Sequence, residues 1–199
     1  MTPPDTARRR LSKSLAGLAL SAAALVLSGC VTQQVLPYQV SVANQMALSS
    51  VPRAARYGVT TGNEPADVRT VVRSLRVSAP GNGSWSDYLN HAIRTELSTS
   101  GHYAPGAKAI LEATLVEVHV LDGKAELAAR FVVKCEETVC YDKLLRVNTD
   151  WDSEFLGVLA ASNGLNQTTA IFQTLLHKLF TDPGFRQSQP GCDRTTHVS

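Results

Sequence analysis

The chain has 199 residues, 44% hydrophobic and 18% charged, with a formal net charge of +2, which suits one domain and an extension. Residues 1–29 hold Arg8, Arg9, Arg10 and Lys13 against Asp5, a net +3, so the rest of the chain carries −1. A near-neutral body has no electrostatic footprint for a polyanion, and nucleic acid is excluded as an expected partner.

The first element is a leader. Arg8-Arg9-Arg10-Leu11-Ser12-Lys13 forms a basic head, and an uncharged apolar run follows from Leu15 to Leu27. The run is too short to span a bilayer as a helix and has the form of a secretory signal. It ends in Leu27-Ser28-Gly29-Cys30, which resembles a bacterial lipobox. That resemblance implies cleavage before Cys30 and a diacylglycerol on its thiol, with acyl chains such as palmitate holding the protein in a membrane. An ordinary signal peptide with a cysteine near its cut site is the competing reading. Val31, rather than aspartate, follows the cysteine. In the lipoproteins this resembles, that implies release to the periplasmic face of the outer membrane.

Residues 30–66 read as the lipidated N-terminus and a linker. Tyr38, Val40 and Val42 alternate with polar neighbours and suit a short strand. The remainder, through Ser49-Ser50-Val51-Pro52 to Gly62-Asn63-Glu64-Pro65, is rich in turn formers and has no period.

The folded domain is expected over residues 67–187. Asp67 to Ser78 fits a strand best in its second half, before the breaker Ala79-Pro80-Gly81-Asn82-Gly83. Ser84 and Asp87 match a capping box, and Trp85, Leu89, Ala92, Ile93 and Leu97 then recur at helical spacing up to Gly101. Asp122-Gly123 between two alternating runs predicts a hairpin. Counting back from a two-residue turn pairs Val120 with Ala125, Val118 with Leu127, Val116 with Ala129 and Thr114 with Phe131. The opposite face, with His119 against Glu126 and Glu117 against Ala128, is expected to meet solvent. A third strand spans Tyr141 to Trp151. Ala170, Ile171, Phe172, Leu175, Leu176, Leu179 and Phe180 form a second helical stripe, which Asp182-Pro183-Gly184 stops. Phe185 folds back on the domain, and residues 188–199 read as a flexible tail.

The cysteines set a conflict. With Cys30 acylated, Cys135, Cys140 and Cys192 remain in an oxidising compartment. A Cys135–Cys140 disulfide would close a very small loop, worth about 2 kcal/mol. It places Val133 against Asp142 and Phe131 against Leu144. Hydrophobic matching instead pairs Val133 with Tyr141, Ala129 with Leu145 and Ala125 with Thr149. The two registers differ by one residue, so both hold only if a bulge absorbs it. The expectation adopted is the Cys135–Cys140 bridge, with pairing to Cys192 or no bridge as the alternatives.

The order strand, helix, three-stranded meander, helix, behind a lipobox, resembles small periplasmic lipoproteins of the YajG type and uncharacterised bacterial lipoproteins. The residues carrying the likeness are Tyr88-Leu89, Ala92-Ile93, Glu96-Leu97, Ala129-Arg130-Phe131, Tyr141-Asp142-Lys143-Leu144, Trp151, Ser153, Phe155 and Asp182-Pro183-Gly184-Phe185-Arg186. The likeness implies a fold and no catalytic residues.

Chemistry is sparse along the chain. His91, His102, His119, His177 and His197 show neither His-x-x-x-His spacing nor a Cys-x-x-Cys partner, so no local zinc site is expected. His119 opposite Glu126 reads as an exposed cross-strand pair. Asn148, Asp150, Asp152 and Glu154 alternate as a calcium site would, but Ser153 and Leu159 occupy the glycine and bidentate-glutamate positions of an EF-hand, so a solvated strand face is expected. No Gly-x-Ser-x-Gly elbow or phosphate-cradling loop is present, and Cys192 lacks an activating base nearby. No metal, no cofactor and no catalytic residue is expected.

The reading is therefore an α+β fold, an antiparallel-rich sheet with two helices on one face. The expected role is a non-enzymatic, outer-membrane-anchored lipoprotein that binds an envelope partner in a transport or assembly complex. The alternative is a lipid- or glycan-binding module with a pocket under Trp85, Phe131 and Trp151.

Overall fold

The structure, a computed structural model, describes residues 32–152 and 157–193, the latter without side chains at 157–164 and 189–193. The lipobox, with Cys30, lies outside the described residues, as does Glu154. The fold is α+β. In chain order the elements are β1 (Thr32–Gln34), α1 (Val42–Leu48), β2 (Tyr57–Thr61), β3 (Asp67–Arg69), β4 (Val71–Val72) and β5 (Leu75–Ser78). There follow α2 (Trp85–Thr99), β6 (Ala109–Leu121), β7 (Lys124–Cys135), β8 (Thr138–Asp150), α3 (Gly157–Thr181) and α4 (Pro183–Asp193).

Five strands make the main sheet, in the order β2-β6-β7-β8, with β3 pairing β6 further along the edge that β2 begins. The long strands β6, β7 and β8 are antiparallel, whereas β2 and β3 join β6 in parallel. A second sheet, β1-β5-β4, combines a parallel and an antiparallel pair. One face of β6–β8 carries Leu111, Ala113, Leu115, Val118, Val120, Leu127, Ala129, Phe131 and Val133, all buried. The helices meet that core with Leu89, Ile93 and Leu97 from α2 and Phe172, Leu175, Leu176 and Leu179 from α3.

The segment 32–66 is not a linker. Val35, Tyr38, Leu48, Val51 and Tyr57 are all buried in the core, and α1 starts where Ser41 Oγ accepts the Asn44 N–H. Scarce periodicity misled here because the apolar residues are spread over short elements, each contributing one or two anchors. The same segment caps α2. The Glu64 carboxylate accepts the backbone N–H of Trp85 at 3.2 Å and of Ser86 at 2.9 Å, beside the Ser84 cap on Asp87 N. A negative group at these free donors complements the helix dipole.

The first hairpin follows the expected register for Val120–Ala125, Val118–Leu127, His119–Glu126 and Glu117–Ala128. A bulge between Leu115 and Glu117 then shifts the strand, so Leu115 faces Ala129 and Ala113 faces Phe131. Val116, expected in the core, is left exposed. The physical reason is packing: the shift exchanges Val116 and Thr114 for Leu115, Ala113 and Leu111 beneath the helices.

The tail is also ordered further than the sequence indicates. Asp182 ends α3 and starts α4: its Oδ1 accepts the Gly184 N–H at 2.8 Å, and Pro183 occupies the first helical position. Phe185 is fully buried, stacked on Tyr57 at 5.2 Å and meeting Tyr141 and Phe180. Ser188 is buried as well, so the expected boundary at 187 falls inside a packed helix.

Among the described residues no helix is long and apolar enough to cross a membrane.

Candidate functional site

Register and bulge together decide the cysteines. β7 and β8 adopt the hydrophobic register, Val133 with Tyr141 and Ala129 with Leu145, and a bulge between Val133 and Lys134 sets Cys135 against Thr138. Glu136, at φ +54°, turns the chain in the two residues left. Cys140 falls at the bulge with a free thiol, half-buried, 3.4 Å from the Cys135 sulfur. Cys135 is disulfide-bonded, and Cys140 is not its partner. The expected Cys135–Cys140 bridge is therefore corrected. Burying Tyr141 and Leu145 outweighed closure of a small loop, and the displaced register leaves Cys140 beside the bonded sulfur instead of joined to it.

The outer face of the main sheet gathers a cluster of charged side chains around His119. β6 supplies Glu117 and His119 two residues apart on one face, β7 supplies Glu126 opposite His119, and parallel pairing with β3 sets Asp67 level with Glu117. His119 is only 7% exposed, although the sequence places it at the surface. Its Nδ1 lies 3.2 Å from Glu126 Oε2, within hydrogen-bonding geometry, and 3.0 Å from Glu117 Oε1. Its Nε2 is buried and lies 3.0 Å from Asp67 Oδ2, in ion-pair range when the ring is protonated but off the line of a hydrogen bond.

Each carboxylate divides its oxygens. Asp67 Oδ1 meets Arg69 at 3.0 Å, Glu117 Oε2 meets Arg146, and Glu126 Oε1 meets Lys124 at 3.4 Å. The other oxygen of each turns to the imidazole. The adjacent ring holds the carboxyls of Asp67 and Glu126 below the ordinary carboxylate range, helped by Arg69 and Lys124 respectively. A shallow cleft of about 320 Å³ opens beside the cluster between Glu117, Glu126, Arg146 and Asn148.

The second polar centre lies on the helical side. Glu96, fully buried on α2, accepts from Tyr38 Oη at 2.6 Å, Ser41 N at 2.9 Å and Asn44 Nδ2 at 3.1 Å on Oε1, and from Gln45 on Oε2. Asn44 also donates to the Gln173 carbonyl of α3. Burial, then the Glu96 carboxylate, drives the Tyr38 phenol far above its ordinary range, so it is a permanent donor. This centre is a clasp between α1, α2 and α3, in which the Glu96 carboxylate is fully engaged and Asn44 Oδ1 is left without a partner.

Other expected features are dispersed. His91 is exposed on α2, and His102 is buried with Nδ1 3.0 Å from Ser100 Oγ, its pKa lowered chiefly by burial. Asn148 and Asp150 lie exposed along β8, in register with Glu126 and Lys124, as the solvated face predicted. Trp85 and Phe131 do not frame a pocket. Trp85 stacks on Phe172 at 5.9 Å and meets Tyr88 edge-on, and Phe131 is fully buried. Sequence reasoning placed His119 against Glu126 but missed Asp67, which reaches the site by a parallel pairing that leaves no local mark.

No family model matches the chain, and no curated protein matches it in sequence. A crystal structure of a Xanthomonas campestris protein of the uncharacterised family DUF330 is similar in structure, with a TM-score of 0.49 and 12% identity, covering 83% of this chain and all of that one.

Proposed function

We propose that the chain is a lipid-anchored, non-enzymatic binding module of the bacterial envelope, held at the periplasmic face of the outer membrane through Cys30. The observation that carries this reading is Leu27-Ser28-Gly29-Cys30 behind a basic head and a short apolar run. In this reading the chain is a relative of the small YajG-type lipoproteins. Two or more acyl chains give stable membrane residence without a basic patch, which suits a mature charge near −1.

Acylation also has a covalent consequence. A thioether on Cys30 cannot coexist with a disulfide there, so the partner of Cys135 is then Cys192, and Cys140 is the sole thiol of the mature chain. In this reading four residues, 31–34, lie between the acylated Cys30 and Val35, which is buried in the core. The binding surface is the outer sheet face, where Val116, Val139 and Leu144 are exposed between the paired charges Arg130–Asp142 and Lys134–Glu112.

Metabolic labelling with palmitate tests the anchor: label is expected on the wild-type chain and lost in Cys30→Ala. Photocrosslinkers at Val116 and Leu144 in cells test the surface and are expected to trap a discrete envelope protein. Adducts matching those from a probe on the helical face would overturn the binding surface.

A further inference from the structure

In the His119 cluster one imidazole nitrogen, Nε2, is buried and off the line of any hydrogen bond. Carboxylates only accept, so Nδ1, hydrogen-bonded to Glu126, is a donor. In the neutral ring Nε2 then carries a lone pair, buried and 3.0 Å from the Asp67 carboxylate oxygen. Two electron-rich atoms at that separation repel, and a buried unsatisfied nitrogen is costly. A proton on Nε2 shared with Asp67 relieves both, and so does a metal ion bound by the two atoms, which would draw in Glu117 as well.

We propose that Asp67, Glu117 and His119 bind a divalent metal ion of the zinc class. One ligand atom from each residue lies within 4.8 Å of the others. Zinc with ligands at about 2.0–2.2 Å needs them roughly 3.5 Å apart, which requires Glu117 Oε1 to turn from Nδ1, where it lies at 3.0 Å, toward the Nε2 side. Glu126 supplies the second shell: its bond to Nδ1–H fixes the tautomer and aims Nε2 inward, as carboxylates do behind metal-bound histidines. Arg69, Arg146 and Lys124 occupy the outward oxygens of the three carboxylates and pin them without taking the inner ones.

The donor set selects the metal. An imidazole nitrogen with two carboxylates suits zinc and its neighbours, whereas calcium and magnesium require nearly all-oxygen shells. Three protein ligands leave a fourth position for water or for a donor from a bound partner. The ion would clamp β3 to β6, two strands joined only by a three-residue parallel pairing. The site draws on none of the reasoning about Cys30.

The test is zinc titration by calorimetry on the full chain in detergent micelles, stripped with EDTA and carrying Cys140→Ser to remove the free thiol. One equivalent per chain is expected, with cobalt giving visible absorption at the same stoichiometry and calcium giving no heat. Asp67→Asn, at a half-exposed position that leaves the core intact, should weaken zinc at least tenfold. His119→Gln should abolish binding, and Glu126→Gln should weaken it about tenfold as an outer-shell partner. Absence of saturable zinc binding overturns the proposal, and so does binding that Asp67→Asn leaves unchanged.

Discussion

Glu96 and His119 are both buried polar side chains that tie together segments far apart in sequence, yet they end in opposite states. The Glu96 carboxylate receives four donors and has its acceptor capacity met by protein alone. His119 is surrounded by three acceptors and has one nitrogen off the line of any hydrogen bond. The first arrangement surrounds an acceptor with donors; the second surrounds an imidazole with acceptors. Satisfaction of hydrogen-bonding capacity, more than burial, separates a polar clasp from a ligand-ready site.

The comparison is broken most readily at Glu96. Glu96→Ala strands Tyr38, Asn44, Gln45 and the Ser41 N–H together and should cost about 3–5 kcal/mol in urea denaturation, comparable to breaking a buried charged network. A loss below about 1 kcal/mol would mean that water replaces the carboxylate and the clasp is not closed. Asp182 is an intermediate case, a partly covered carboxylate that caps α4 and pairs with Lys143 at 2.8 Å. Burial raises its carboxyl, but the Lys143 ammonium and the Gly184 N–H outweigh that and leave it low. Asp182→Ala should cost about 1–2 kcal/mol, read from the melting transition, chiefly as loss of a helix cap.

At the other pole, His119→Gln in metal-free protein should change stability by no more than about 1 kcal/mol, because its partners Asp67 and Glu126 are part-exposed and regain water when the imidazole is lost. A larger loss by urea titration would place His119 with Glu96 as a structural group. The smallest effect belongs to the acid limb. Asp67 and Glu126 have carboxyls held low in the fold, so their contribution is present above the usual carboxylate range and is lost as pH falls below about 4. Asp67→Asn should therefore melt below wild type at pH 7 and converge with it near pH 3. Parallel curves would remove Asp67 from the cluster.

Local signals were read faithfully where one element carried them. Ser84 caps α2, Gly101 ends it with φ +76°, and Asp122-Gly123 turns the β6–β7 hairpin, each by backbone chemistry confined to a few residues. The segment 32–66 was misread because Val35, Tyr38 and Tyr57 are single anchors, and periodicity needs several. Pro183 was read as a stop, although the same residue with Asp182 before it is also a start. At the candidate site, Glu117, His119 and Glu126 were visible through alternation and the hairpin turn. Asp67 was not, since parallel pairing across fifty residues is specified by the whole sheet.

The amino-acid sequence alone determined α2, the hairpin register nearest its turn and the apolar stripe of α3, because caps, turns and periods act over a few residues. Tertiary structure decided the rest. It chose the β7–β8 register over the Cys135–Cys140 bridge, since a register buries many side chains and a small loop gains only one bond. It buried His119 and brought Asp67 to it. Where a proton or an ion would rest depends on atoms that meet only after the chain has folded.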